Sequence, residues 1–226
     1  MSPFRDIAVP LPFFPLEVKG VKMKRTLQVL AVILLIAGVA ACSPKMPPTQ
    51  VSISTVQPTL AESYHPLTAR TGIKEIDRVL DAIGEIQRLR SLIQLTATRC
   101  TRQDGLGGPP KCLPEEGEGT PVEVLPFLGP EGYFLRSTEI NDWQGIDPSG
   151  IYAIYEVSSG AYSDENYPAG KYAILFVGKE NQPAIALQVR DGSIVRVDNI
   201  FENSLESLDS ILQRDAARLI LAPAPH

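Results

Sequence analysis

Hydrophobic positions follow successive rhythms along this 226-residue chain. From Thr71, apolar Ile73, Ile76, Val79, Leu80 and Ile83 recur at steps of three and four, with Lys74, Glu75, Asp77, Arg78 and Asp81 between them. One apolar stripe of that period predicts an amphipathic helix, with Thr71 as its N-cap and Gly84 as its end or bend. Ile86, Leu89, Leu92 and Ile93 predict a second short helix with Arg88 and Arg90 facing outward. The period then falls to two. GIYAIYEVS (150–158), KYAILFVG (171–178), PAIALQVR (183–190) and SIVRVDNI (193–200) read as strands. Asp191-Gly192 joins the last two as a hairpin turn. PVEVLPFL (121–128) is a further strand, which Pro126 assigns to an edge. SLESLDSILQRDAARLIL (204–221) predicts a final amphipathic helix capped by Ser204, with Leu205, Leu208, Ile211, Leu212 and Leu219 facing inward.

This order predicts an α+β domain over 71–226: N-terminal helices packed on one face of a curved, mostly antiparallel sheet, with a C-terminal helix. Short loops without crossover helices argue against a parallel, doubly wound sheet. The element order over about 71–200 resembles the nuclear transport factor 2-like fold, a cone in which a curved sheet wraps a pocket against N-terminal helices. That resemblance implies a pocket for a small apolar ligand. In isomerases of that fold it implies a buried carboxylate acting as a base.

Upstream of the domain the pattern differs. Met23-Lys-Arg-Thr is a short basic region, and Leu27 to Ala41 is an apolar run broken only by Gln28. A helix that crosses a bilayer needs about 20 apolar residues, so this layout reads as a secretory signal over 23–41 rather than a span. Val39-Ala40-Ala41-Cys42 then resembles the lipobox of bacterial lipoproteins. The resemblance implies cleavage before Cys42, a diacylglyceryl thioether on Cys42, and acylation of the new amino terminus by a fatty acid such as palmitate. Two or three chains anchor a protein stably where one is marginal. The expected location is the cell envelope, and the outer membrane in a diderm, because Ser43 rather than Asp follows the cysteine. Residues 1–22 place acidic Asp6 and Glu17 ahead of the signal, so Met23 is the expected start and 1–22 a mis-assigned extension. Residues 42–70 are rich in Pro, Ser and Thr; they read as the anchor and an extended tether.

Charge excludes one class of partner. From Cys42 onward the chain carries 16 Lys and Arg against 24 Asp and Glu. Nucleic-acid binding needs a basic face, and no basic stripe is present in the sequence. Beyond Cys42 only Cys100 and Cys112 remain, flanking the glycine- and proline-rich TRQDGLGGPPK. In an exported protein such a pair reads as a disulfide, worth about 3 kcal/mol on the chain-entropy model. The loop is similar to one in other exported bacterial proteins, which brings no activity with it. Two cysteines without a neighbouring histidine are a poor zinc set. Pro109 and Pro110 offer no amide N–H to a phosphate, and the spacing is too wide for a Cys-x-x-Cys redox pair.

Catalytic chemistry is sparse. The two histidines, His65 and His226, fall in the tether and at the last residue, which disfavours triads and histidine-rich metal sites. Neither G-x-S-x-G nor H-E-x-x-H occurs. EINDWQGIDPSG (139–150) lacks the regular oxygen spacing of a calcium loop. Carboxylates near aromatics are what remain: Glu139, Asp142, Asp147, Asp164 and Glu165 lie close in sequence to Trp143, Tyr155, Tyr162 and Tyr167. Asp142, Trp143, Tyr155, Tyr162, Asp164 and Tyr167 are therefore the candidate pocket or loop contacts, and YSDENYPAG (162–170) an exposed loop for protein or glycan contact. The sequence points to a non-catalytic domain that binds a small apolar ligand or an envelope protein, with no metal or cofactor. The alternative is a small carboxylate-dependent isomerase or hydrolase.

Overall fold

The computed structural model describes residues 63–225, all within the unit Ser54–His226. The signal, the lipobox (Val39, Ala40, Ala41, Cys42) and most of the tether lie outside the described residues. Helix α1 (Lys74–Leu80) buries Ile76, Val79 and Leu80. It starts later than Thr71 suggests, with Ile73 at the N-cap. Thr71 instead accepts the Ile73 amide through Oγ1 (3.1 Å), and Asp77 reaches back to accept from the Thr71 and Gly72 amides (2.8 and 2.9 Å). Gly84, with φ +88°, reverses the chain into α2 (Ile86–Ser91). Arg90 on α2 does not face solvent freely; its Nε donates to the Trp143 carbonyl at 2.9 Å.

Strands β1 (Thr96–Arg99), β2 (Pro121–Leu128), β3 (Tyr133–Arg136), β4 (Gly150–Val157), β5 (Tyr172–Val177), β6 (Ala184–Arg190), β7 (Ser193–Ile200) and β8 (Ala216–Leu221) form one mostly antiparallel sheet among the described residues. Its order is β1-β2-β7-β6-β5-β4-β8, with β3 on the other side of β2. Asp191 and Gly192 both have positive φ (53° and 73°), as a two-residue type I′ hairpin requires. β5 shows why the sheet is a middle layer. Tyr172, Ile174 and Phe176 face a core shared with α1 and α2, whereas Ala173, Leu175 and Val177 face a second core. Helix α3 (Leu205–Asp215) covers that second core with Leu208 and Ile211. Alanines 153, 173, 184 and 186 line it, and small side chains let α3 sit close.

Several expectations are corrected. Helices occupy both faces of the sheet, because the central strands are apolar on both sides and each side needs cover. β2 is not an edge strand: β1 pairs with it up to Val124 and β7 runs parallel to it from Phe127. Pro126 falls between those two pairings, where its missing N–H breaks no ladder on that side. The C-terminal segment is not one helix. Ser204 does cap α3, accepting from the Ser207 amide at 3.2 Å, but the chain turns extended at Ala216 (φ −88°, ψ 122°). AARLIL then pairs with the outer edge of β4, leaving Leu219 45 % exposed rather than inward. Covering the edge of a strand as apolar as β4 satisfies backbone groups that a longer helix would leave open. Packing also begins before residue 71. His65 exchanges backbone hydrogen bonds with Ile151 (2.8 and 2.9 Å), and its ring bonds the Ala222 carbonyl at 2.7 Å, so it is fixed against β4.

Candidate functional site

Cys100 and Cys112 form a disulfide with their Cα atoms 4.9 Å apart. Glu116 approaches both sulfurs, but sulfurs joined to each other are not thiolate ligands. The loop is held from outside by Arg136, whose Nη1 and Nη2 both donate to the Glu116 carboxylate at 2.8 Å. That contact, with the Leu113 amide, holds the Glu116 carboxyl below its usual value.

A concave surface lies where β2, the β5–β6 turn and the C-terminal end of β7 meet. A cleft of about 830 Å³ is walled by Phe127, Tyr133 and Phe201, with polar Glu131, Glu180, Asn181, Gln182 and Asn199. Its aromatic wall follows from sheet register. Phe127 and Tyr133 are directly opposed across β2 and β3, and their rings stack with centroids 4.4 Å apart and planes 13° apart. Trp143 packs edge-on against Phe127 at 6.1 Å, bracing it from the core. The Tyr133 ring is half-exposed and Phe201 is 70 % exposed. Burial raises the Tyr133 hydroxyl above its ordinary value, against the opposing pull of a hydrogen bond with Asn199. Asn203 braces the turn, donating to the Gly178 carbonyl (3.0 Å) and accepting its amide (3.2 Å).

Gly129 and Asn199 form the boundary with a second, polar chamber of about 590 Å³ beneath α3. A Cβ on Gly129 would stand 3.4 Å from that of Asn199, so glycine lets the turn after β2 approach the end of β7. β7 supplies the chamber floor. Arg196 and Asp198 are two residues apart and point to the same side of the sheet. Arg196 is 2 % exposed; its Nε and Nη2 donate to the two Asp198 oxygens at 2.6 and 3.0 Å. Its Nη1 donates to the carbonyls of Tyr162 and Tyr167, both at 2.9 Å. Gln188 adds a donor to Asp198 (2.8 Å) and accepts the Gly170 amide (3.1 Å). Burial raises the Asp198 carboxyl, while Arg196 and Gln188 pull against it. Across the chamber, Arg214 donates to both oxygens of Asp215 at 2.7 Å. Tyr155 is fully buried, and its hydroxyl has no hydrogen-bond partner.

Tyr155, Tyr162, Asp164 and Tyr167 are thus brought together around Arg196, while Asp142 and Trp143 are not. Asp142 is exposed, and Trp143 packs on the opposite core. The loop 162–170 is not simply an exposed tip. Tyr167 is buried, and Asp164 accepts from the Tyr162 hydroxyl (2.5 Å) and from the amides of Asn166 and Tyr167 (both 2.8 Å). Burial works to raise the Asp164 carboxyl, but these donors and Arg196 outweigh it and hold it below its usual value. Arg196, Asp198, Gln188, Asp215, Tyr133 and Phe201 were missed by the sequence reading. The available signal was an arginine and an aspartate at inward positions of an otherwise apolar strand, SIVRVDNI.

No protein-family model, curated protein or solved structure matches this chain. Among the described residues no helix is long and apolar enough to cross a membrane.

Proposed function

We propose that this is a lipid-anchored envelope protein whose domain binds carbohydrate, without turning it over, in the cleft at the end of β7. The anchor rests on the lipobox at Cys42, with the proline-rich segment after it as the tether. The binding reading is carried by the Tyr133 ring, held flat on Phe127 with half its surface open to a cleft otherwise rimmed by amides and carboxylates. A sugar ring presents C–H bonds on its faces and hydroxyls around its edge. The first pack on an aromatic face, and the second hydrogen-bond to amide and carboxylate side chains. The cleft contains Glu131 and Glu180 and no Lys, Arg or His, which favours a neutral or cationic ligand over an anionic one.

A carboxylate-dependent isomerase or hydrolase has one observation in its favour, the burial-raised Asp198 beside a chamber. A general base must reach a substrate proton. Asp198 instead commits both oxygens to Arg196 and Gln188, so its geometry supports holding a scaffold more than moving a proton.

Titration calorimetry of the full chain with short neutral β-linked oligosaccharides tests the reading. Tyr133→Ala should weaken binding about tenfold or more, the loss typical of an aromatic anchor at a binding site, while the loss of its stack on Phe127 lowers the melting temperature by only a few degrees, on the order of 1 kcal/mol. Absence of binding, or indifference to Tyr133→Ala, would overturn it.

A further inference from the structure

One wall of the aromatic cleft is a single turn: Gly129, Pro130, Glu131 and Gly132 all line it, and Tyr133 follows at once. We infer that the disulfide-closed loop between Cys100 and Cys112 positions this wall, so that the affinity of the cleft depends on the Cys100–Cys112 bond; this rests on the carbohydrate reading above.

The attachment is direct. The Gly107 amide, near the middle of the loop, donates to the Glu131 carbonyl at 2.7 Å. Among the described residues, that is the only backbone hydrogen bond outside the strands made by residues 129–132. Close packing accompanies it. Gly132 has φ +52°, and a Cβ there would stand 3.0 Å from the Gly107 Cα and 2.6 Å from the Tyr167 hydroxyl oxygen. Glycine at 132, and at 107 with φ +67°, therefore lets the loop, the turn and the Tyr167 ring meet. On the strand that carries Tyr133, Arg136 adds a second link, donating to the Lys111 carbonyl and to Glu116.

The loop supports the turn only while its own shape is fixed. Gly105, Gly107 and Gly108 give it backbone freedom that must be given up on ordering. The disulfide closes its base, beside hydrogen bonds from the Thr101 amide to the Pro110 carbonyl (2.9 Å) and from the Cys112 amide to the Thr101 carbonyl (3.0 Å). Without the covalent closure, these bonds and the Arg136 contacts alone offset the closure entropy. The Gly107–Glu131 contact, far from the base, is then made less of the time. A wall that the ligand must order costs affinity that a pre-organised wall does not. Cys100 is buried and Cys112 only partly so, which makes Cys112 the accessible sulfur. A dithiol attacks it and Cys100 leaves as a thiolate. The second thiol of the reagent then displaces Cys112. The cysteine pair gains two electrons and two protons, and the dithiol becomes a cyclic disulfide.

Calorimetric titration with a short neutral β-linked oligosaccharide compares the oxidised full chain, the chain held reduced by a dithiol, Gly107→Val and Tyr133→Ala, all below the lowest melting temperature. Gly107→Val keeps the disulfide, but its β-branched side chain resists the positive φ that brings the amide to Glu131. The reduced chain and Gly107→Val should each bind about tenfold more weakly than the oxidised chain, and reoxidation should restore the affinity. A disulfide that only stabilises the fold would lower the melting temperature and leave the affinity of the folded protein unchanged. Unchanged affinity in either the folded reduced chain or Gly107→Val, with Tyr133→Ala still weakening binding, overturns the positioning and leaves the cleft standing. Should the reduced chain unfold, Gly107→Val alone decides. Absence of binding by the oxidised chain overturns both.

Discussion

Replacing Arg196 with Met provides a direct test of how the site is built. Met keeps much of the volume of the arginine stem and removes the charge. Four hydrogen bonds are lost: two to Asp198, and one each to the carbonyls of Tyr162 and Tyr167. Arg196 is 2 % and Asp198 15 % exposed at the side chain, so the carboxylate left behind cannot turn to water without opening the β4–β5 loop. Breaking a buried pair on one side costs about 3–5 kcal/mol. In a domain of this size that corresponds to a melting temperature lower by on the order of 10 °C. The pH dependence separates this cause from a packing defect. Without Arg196, the Asp198 carboxyl rises further above its ordinary 3.8, because burial is then unopposed by the guanidinium. Between that ordinary value and the raised one the folded state binds more protons than the unfolded state, so stability increases as pH falls. The deficit of the variant should therefore be largest at neutral pH and shrink as the pH falls toward the ordinary carboxyl value of 3.8. Thermal denaturation followed by circular dichroism at several pH values reads both effects. A loss below about 1 kcal/mol, the scale of an exposed ion pair, or a deficit independent of pH, would refute the reasoning.

Replacing both Cys100 and Cys112 with Ser should lower stability by about 3 kcal/mol. In intact mass spectra of the membrane-extracted protein, a chain starting at acylated Cys42 should gain two hydrogens on reduction, and an unmodified soluble chain would contradict the anchor. Asp164 carries a second pH signature. Its carboxyl is lowered in the folded state, so the stability it contributes is present above its ordinary 3.8 and lost as pH falls through the folded value. Asp164→Asn should remove that acid-sensitive component and increase the proteolytic cleavage rate of the 162–170 loop at neutral pH; unchanged acid sensitivity would show that the loop is held by other groups.

Much of the fold was legible because burial leaves a period in the sequence. The strands at 121–128, 150–157, 172–177, 184–190 and 193–200 were marked by apolar runs or alternation, and the Asp191-Gly192 turn by its tolerance of positive φ. What escaped were elements whose reason to exist lies elsewhere in the chain. β1 and β3 are four residues each and are strands because β2 offers them a partner. β8 continues a helical hydrophobic pattern in sequence, yet the open edge of β4 draws it into the sheet. Local propensity cannot report that competition, since the same leucines fit a helix stripe or a half-covered strand.

The candidate site was less legible for a related reason. Sequence proximity grouped Asp142 and Trp143 with Tyr155, Tyr162, Asp164 and Tyr167, but a sheet sorts neighbours by face and register rather than by distance along the chain. Trp143 went to the helix-covered core, where it braces Phe127. The tyrosine loop was drawn to the other face by Arg196, about thirty residues later in sequence and on a different strand. Arg196 and Asp198 alternate with Val195 and Val197, so both charges enter the same face, and once buried there each requires the other. Their mutual neutralisation makes two buried charges tolerable within an otherwise apolar fold.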